Sequence, residues 1–532
     1  MLILYNGHIT TQDLHNPEVS ALAIEDDRII AIGSDEQLLS LETFNSKKIN
    51  LHGKTVWPGL TDAHLHLSLL AQSLDMVDCD TPTREECLQR VAERAHTTKA
   101  GAWIIGHGWD QNKWPEGFGN ATLLDRVSGK HPTFLTSKSL HSAWVNSDAL
   151  NAAWIDDQTP DPANGRIQHN EHGQPTGILF EMAALKMVRD RIPAPSVTEL
   201  AGMIAHAQDW LCSLGLTGVH DFDDAACYAA LKELEEQGYL KLRVVKGILM
   251  DGLQDAIAAG IHTGSGSAML RIGPLKLFAD GALGPRTAAM LEPYENEPVN
   301  TGLLTLSADE VFSNGIQAVQ NGFNLAIHAI GDRANREVLN GYQRLREYET
   351  RQHLPHLRHR IEHVQLLHPD DIQRLNQLGV IASMQPIHAT SDREMADQHW
   401  GSRIGLAYAW RSLLDCNTTL IFGSDAPVES PNPFLGMHAA MTRIRPGEAL
   451  DKSWQSQQCL TLDDALHAYT TGAAASASCE TWLGRLVPGY AADLIILPND
   501  PSGIDKQNFY IIKPEATMVA GSWVWNISDL PL

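Results

Sequence analysis

Eight short apolar runs, at 60–67, 217–222, 242–248, 272–278, 325–329, 360–364, 380–385 and 419–423, alternate with segments long enough to be helices. Helical spacing shows in 197–213, 307–320, 333–348 and 369–378. Parallel strands need a crossover between them, and a helix is the usual one. Eight strand–helix repeats are the arithmetic of a TIM (β/α)8 barrel in the α/β class. One spacing breaks the rhythm: about 150 residues separate the first run from the second, several times a normal strand-to-helix connection. That stretch holds strand-like runs of its own, 102–106 and 133–136, and a loop rich in Gly, Trp and Pro at 108–115. It reads as an insertion after the first barrel strand, about 75–200. Loops there sit on the face where barrels keep their chemistry, so it is expected to cover the site.

The two ends of the chain differ from the middle. Runs at 2–5, 21–25 and 28–32 are short and apolar or alternating, with Asn6-Gly7 and Asp26-Asp27 as turns and Trp57-Pro58-Gly59 as the close. Past Ala473 the same texture returns at 484–490, 491–497, 517–520 and 523–525. The expectation is one small β-sandwich domain built by 1–58 and 481–532 together, with the barrel in 59–480.

Composition narrows the function. Lys and Arg number 40 against 64 Asp and Glu, a net charge of −24. Such a surface repels phosphate backbones, which argues against nucleic acid and anionic membranes as partners. The seven cysteines are scattered without a CxxC pair, so neither a disulfide framework nor a thiolate zinc site is expected. The first residues carry no basic leader pattern, and no apolar stretch nears the length of a membrane span. The expectation is a cytoplasmic protein acting on a small molecule, with a homodimer as the base-rate assembly.

His64-Leu65-His66 follows the first run. Side chains two apart on a strand project to one side, so both imidazoles can meet one ion. With 24 histidines in 532 residues chance supplies about one His-x-His, so the pair needs company. His328, His363 and Asp425 provide it, each at the C-terminal end of an expected barrel strand, where polar residues serve catalysis. A satisfied core histidine is the bland account of each alone, but it explains four histidines and an aspartate at one barrel end poorly. Lys276 lies within an apolar run, and a buried lysine needs a partner. One reading is a salt bridge to Asp280 or Glu181 beside a single ion. The other is a neutral amine that takes up carbon dioxide, giving an anionic carbamate bridge between two ions. Charge favours the second: two divalent ions bring four positive charges, and the carbamate, Asp425 and a hydroxide offset three.

Residues 55–66, with Pro58-Gly59-Leu60-Thr61-Asp62-Ala63-His64-Leu65-His66, resemble the signature that opens the barrel in the amidohydrolase superfamily. Lys276, His328, His363 and Asp425 follow in that superfamily's strand order: four, five, six, eight. Residues 484–497 resemble its C-terminal Gly…Gly…Ala-Asp-Leu strand pair, and 2–33 the opening strands of its composite β domain. Thr61 and Leu65 depart from the commonest residues of the opening motif, and neither is a ligand. The chain is most similar to the subgroup typified by N-substituted formamide deformylase, amidohydrolase family 3. It shares the long insertion, the Lys276-Leu277-Phe278-Ala279-Asp280-Gly281-Ala282-Leu283-Gly284 stretch and His141-Ser142-Ala143-Trp144-Val145-Asn146-Ser147.

The resemblance implies two divalent ions, with zinc the best match to the ligands and manganese, iron and nickel left open. One ion would take His64, His66 and Asp425, the other His328 and His363, with carboxylated Lys276 and a hydroxide bridging. The hydroxide would attack a carbonyl or amidine carbon while Asp425 serves as general base and then acid. His141, Trp109, Arg286 and Gln385 are expected substrate contacts, Arg286 suiting a carboxylate or polar head group. Trp114 and His388 are expected to face the site, and His220-Asp221 to support it through hydrogen bonds. The expected activity is hydrolysis of a non-peptide, amide-type C–N bond. Ester, lactone or cyclic-amide hydrolysis and deamination are alternatives on the same cluster, and a metal-binding barrel without turnover is the non-enzymatic one.

Overall fold

A computed structural model of the chain describes residues 1–111, 113–138, 142–163 and 165–527. The eight runs form eight strands: β1 Leu60–Leu65, β2 Leu216–Asp221, β3 Arg243–Leu249, β4 Leu270–Phe278, β5 Leu325–Ala329, β6 Arg360–His363, β7 Ile381–Met384 and β8 Leu420–Phe422. They neighbour one another in chain order, and every pairing is parallel. Strands such as β2 and β6 are buried at every position, as a sheet covered on both faces requires. Just past its end β8 returns to β1. The Asp425 N–H donates to the His64 carbonyl at 2.7 Å and the His66 N–H to the Ala426 carbonyl at 2.8 Å. The sheet is a nearly closed TIM-type barrel.

The crossover helices form where apolar spacing and capping agree. Val197–Ser213 buries Leu200, Ala201, Ile204, Ala207, Leu211 and Cys212, a stripe at three- and four-residue intervals. Ala308–Gln320 opens on a capping box of Ser307 and Glu310. The helix expected over 369–378 is instead a 3-10 turn, Pro369–Asp371, followed by Ile372–Gln377.

Strands from both ends of the chain share a six-stranded sheet, in which Thr55–Pro58 lies between His8–Thr10 and Leu494–Leu497. A four-stranded sheet of Arg28–Gly33, Ala21–Glu25, Leu2–Tyr5 and Lys47–Asn50 packs with it through Leu4, Ile24, Val56, Leu494 and Met518. The strand expected over 484–490 is a run of turns. Gly484 and Gly489 take φ of 89° and 88°, and Pro488 has no N–H to give a ladder.

Gln72–Ser196 is a compact unit of its own, distinct from that of Met1–Ala71 with Val197–Leu532. Its six-stranded sheet runs in the order Arg166–His169, Pro175–Phe180, Ser142–Val145, Thr133–Ser137, Ile104–Trp109, Val77–Asp78. It has two hydrophobic clusters, one around Phe134, Val145 and Leu179, the other around Trp109, Trp114 and Trp144. Among the described residues no helix is long and apolar enough to cross a membrane.

Candidate metal centre

β1 and β8 are locked where they meet. Asp62 Oδ1 accepts the N–H groups of His64 at 3.1 Å and Ser424 at 3.0 Å, and its Oδ2 takes the Ser424 hydroxyl at 2.5 Å. A Cβ on Gly423 would stand 2.4 Å from the His64 nitrogen, so only glycine allows this approach. The backbone then turns sharply: Asp425 has φ 60°, and at the end of β6 His363 has φ 74° and Val364 φ 46°. Left-handed geometry costs a non-glycine residue about 1–3 kcal/mol and persists where the surroundings over-determine it. Here it brings His363 and Asp425 into one cluster.

Four imidazoles converge on Asp425 or on each other, and each has one ring nitrogen occupied on its far side. His64 Nδ1 donates to Glu362 Oε2 at 2.6 Å, His66 Nδ1 to Asp223 Oδ1 at 3.1 Å and His363 Nδ1 to Gln385 Oε1 at 2.8 Å. His388 Nδ1 stands 3.6 Å from Glu429 Oε1. An imidazole that donates from Nδ1 offers its Nε2 lone pair as a ligand, and such outward acceptors are the usual supports of metal-binding histidines. His64 Nε2 and His66 Nε2 stand 3.5 and 3.4 Å from Asp425 Oδ1. Donors held at about 2.1 Å from a tetrahedral zinc ion stand about 3.4 Å apart. The donor set therefore fits a divalent ion. Among the described residues three groups have their ligand atoms all within 4.8 Å of one another, and two of them share Asp425: His64, His66 and Asp425, and His363, His388 and Asp425.

The electrostatics divide the four rings, two neutral and two held protonated by carboxylates. Burial holds His64 down at about 4, a neutral ring as a ligand must be, and it likewise holds His363 well below its ordinary value. Burial opposes the charges of His66 and His388, but their carboxylate partners outweigh it and lift them to about 9 and about 10. Burial likewise opposes the Asp425 carboxylate, yet His388 and His66 keep it well below the usual range. Beneath the cluster Arg360 holds the assembly together. It pairs with Glu362 through Nε, donates to His220 Nδ1 at 3.0 Å and to the Ala63 carbonyl at 2.9 Å. Asp221, beside His220, is bound at 3.0 Å by buried Lys246, whose ammonium also reaches the Asp223 carbonyl. The trio Asp221, Asp223 and Cys227 has metal-like spacing but already contains this cation.

Lys276 is buried, and burial pushes its amine down to about 8. Among the described residues it has no ion pair; its Nζ lies over the rings of Phe222 and Phe278 at 4.9 and 5.1 Å. Asp280, one of the two carboxylates considered as a salt-bridge partner, accepts instead from the N–H groups of Ala289, Ile330 and Gly331. His328 is in ring contact with His363, centroids 4.5 Å apart, and its Nε2 donates to the Gly281 carbonyl at 2.9 Å. His328 does not fall within the two tight groups.

The expected substrate contacts fall in different places. Gln385 is buried and supports His363, while its Nε2 has no hydrogen-bond partner among the described residues. Arg286 is tied to Glu297 at 2.8 Å. Trp109 and Trp114 stack in the core of the insertion, their indole N–H groups on the Leu135 and Thr81 carbonyls. His141 lies outside the described residues. Sequence reasoning alone does not find Glu362, Asp223, Arg360 or Asp62. The one available signal was alternation: Arg360 and Glu362 are two apart, as are Asp221 and Asp223, so each pair shares a side of its strand or strand end.

The profile of the amidohydrolase family matches residues 47–525. The putative amidohydrolase YtcJ of Bacillus subtilis is 31% identical over 99% of both chains. The N-substituted formamide deformylase of Arthrobacter pascens is 28% identical over 94% of each. The crystal structure of a metal-dependent hydrolase from Pyrococcus furiosus superposes with a TM-score of 0.80 at 31% identity, covering 94% of this chain and 99% of that one. Barrel, donor set and these likenesses agree: the chain belongs to the amidohydrolase family and is a hydrolase of carbon–nitrogen bonds.

Proposed function

We propose that the chain hydrolyses a non-peptide, amide-type C–N bond of a small molecule, using two divalent ions held by His64, His66, His328, His363, Lys276 and Asp425. The observation that carries this reading is the convergence of His64 Nε2 and His66 Nε2 on Asp425 Oδ1 at 3.5 and 3.4 Å, with both Nδ1 atoms turned outward to carboxylates. Zinc suits these nitrogen and oxygen donors. When bound, the ions polarise the scissile carbonyl and acidify water.

The chain supplies the rest. Asp425 is ionised and touches the imidazoles of both groups, so it can accept the proton of the attacking water and return it to the leaving nitrogen. Lys276 is buried, it has no ion pair among the described residues, and with its amine lowered to about 8 the unprotonated fraction can add carbon dioxide. The ammonium gives up one proton, the Nζ lone pair forms the new N–C bond as one C–O π bond of carbon dioxide opens, and a second proton leaves, so that a buried cation would become an anionic carbamate. Glu362, Asp223 and Gln385 hold the rings in the one orientation that presents Nε2 inward.

The test is metal content by mass spectrometry, then turnover of a panel of N-substituted amides, esters, lactones and cyclic amides before and after chelation. Bound metal, amide turnover lost on chelation and a fall of about 10²–10⁴-fold in Asp425→Asn are expected. Fully loaded protein that cleaves only esters or lactones would overturn the C–N assignment. Protein that takes up no divalent ion would overturn the whole reading.

A further inference from the structure

Lys276 lies on β4, and its Nζ meets two phenyl rings. Phe278 is two residues further along the strand and so projects to the same side. Its ring centroid is 5.1 Å from Nζ, and the ring also meets the imidazole of His328 at 5.6 Å. Phe222 follows the last residue of β2, and its ring centroid is 4.9 Å from Nζ. Phe278 is half exposed and Phe222 is buried.

The backbone makes room for the Phe222 ring. β3 lies between β2 and β4, and it carries glycine at 247. A Cβ there would stand 2.6 Å from Cδ1 and 2.9 Å from Cε1 of Phe222, so a larger residue would displace the ring. The Phe222 N–H donates to the Leu65 carbonyl at 3.2 Å, which ties its backbone to β1. The ring also packs on His64, centroids 4.7 Å apart, and meets the Arg360 guanidinium at 4.9 Å. That guanidinium is engaged by Glu362, His220 and the Ala63 carbonyl. One phenyl thus borders the amine, a candidate ligand and a buried cation, and offers none of them a hydrogen bond.

We infer that Phe222 and Phe278 are positioning residues for the carboxylation of Lys276: they wall its Nζ with apolar surface and leave the ligand cluster as the polar side on which the carbamate lies. The inference rests on the proposed function, in which that carbamate bridges two ions. A carbamate is lost when its nitrogen takes up a proton, so keeping water from the nitrogen preserves it. Phenyl rings also bring no N–H or O–H donor to compete with the ions for the carbamate oxygens. Phe222 closes the buried side of the amine, and Phe278 the side nearer solvent.

The test follows the carbamate and the ions, not turnover. Wild type, Phe222→Leu, Phe222→Ala, Phe278→Ala and Leu277→Ala are loaded with Zn²⁺ in ¹³C-bicarbonate. The carbamate is read by ¹³C NMR, ions per chain by mass spectrometry and affinity by chelator competition. Wild type and Phe222→Leu, which keeps an apolar wall, are expected to show the carbamate signal and two ions. Phe222→Ala and Phe278→Ala are expected to lose most of the signal and to hold the bridged ions about 10–100-fold more weakly. Added acetate should restore the ions but not the signal, because it supplies the missing bridging anion; a ring lost only as packing for His64 would not respond to it. Leu277 is buried on the opposite side of β4, so Leu277→Ala should lower the denaturation midpoint and leave the signal intact. If Phe222→Ala fails to fold, Phe278→Ala, changed at a half-exposed ring, decides. Full signal and unchanged affinity in the phenyl variants, or an equal loss in Leu277→Ala, overturn this inference and leave the hydrolase reading standing. Loaded wild type without a carbamate signal overturns the bridging lysine of the proposed function, and this inference with it.

Discussion

At the scale of single residues, candidate ligands can be picked out of the sequence more readily than the side chains that aim them. His64-Leu65-His66 announces itself by spacing, and Lys276 by being a charge inside an apolar run. Glu362 and Asp223 announce nothing. Each finds its histidine across 298 or 157 residues of chain, and only the closed barrel makes them neighbours. Asp223 is a direct test of such support. It holds His66 Nδ1 and also accepts the Ser68 N–H at 2.5 Å. Asp223→Ala is expected to weaken the ion on His64 and His66 by about 10–100-fold, and Asp223→Asn by less, read by chelator competition. A second residue-scale prediction concerns pH. His359 Nδ1 accepts the Leu325 N–H at 3.0 Å, so the buried ring is neutral, and burial lowers it from 6.5 to about 4 despite Glu349. Between those values the unfolded chain binds the proton and the folded one does not. Stability contributed this way is intact above 6.5 and falls as pH drops toward 4. From pH 7 to pH 5 the wild type is expected to lose about 2 kcal/mol more than His359→Gln in urea titrations.

At the scale of elements, the barrel strands were readable because parallel strands covered on both sides must be apolar throughout. The terminal sheets were readable only in part. The stretch at 484–490 is apolar enough for a strand, yet two left-handed glycines and a proline turn it into a connector. Asp493, at the head of Leu494–Leu497, is a clamp between elements far apart in the chain. Its carboxylate takes Arg243 at 2.6 and 2.9 Å and the Ala520 N–H at 2.8 Å, tying the start of β3 to the sheet formed by the two ends of the chain. Arg243 and Asp493 are buried, so removing one leaves the other charged and unpaired. Asp493→Ala is expected to cost about 3–5 kcal/mol, seen as a lower denaturation midpoint, whereas exposed Lys186 and Asp190 can be separated with little effect. An equal response at both sites would mean that the clamp contributes nothing beyond surface charge.

At the scale of the whole molecule, the break in strand rhythm after β1 marked the insertion, but its internal order did not follow from sequence. Its sheet mixes parallel pairings on one side with antiparallel ones on the other, and Gly/Trp/Pro-rich loops have no periodicity to read. The structure makes that loop an aromatic core, in which Trp114 and Trp144 meet edge to face at 5.9 Å and the Trp144 indole donates to the Asn120 carbonyl at 2.9 Å. A Cβ on Gly119 would lie 2.3 Å from the Trp144 ring, so the packing there has no slack. The ligand cluster and its supports all lie in the other unit, around a separate and larger core. Trp144→Ala should therefore cost about 3–5 kcal/mol within the insertion, by loss of contacts and creation of a cavity. Calorimetry of the metal-loaded variant is expected to show an early transition for Gln72–Ser196 ahead of the main one, with ions per chain unchanged below the second transition. Loss of metal together with the first transition would show that the barrel depends on the insertion for its site, and that the two cores form one cooperative unit.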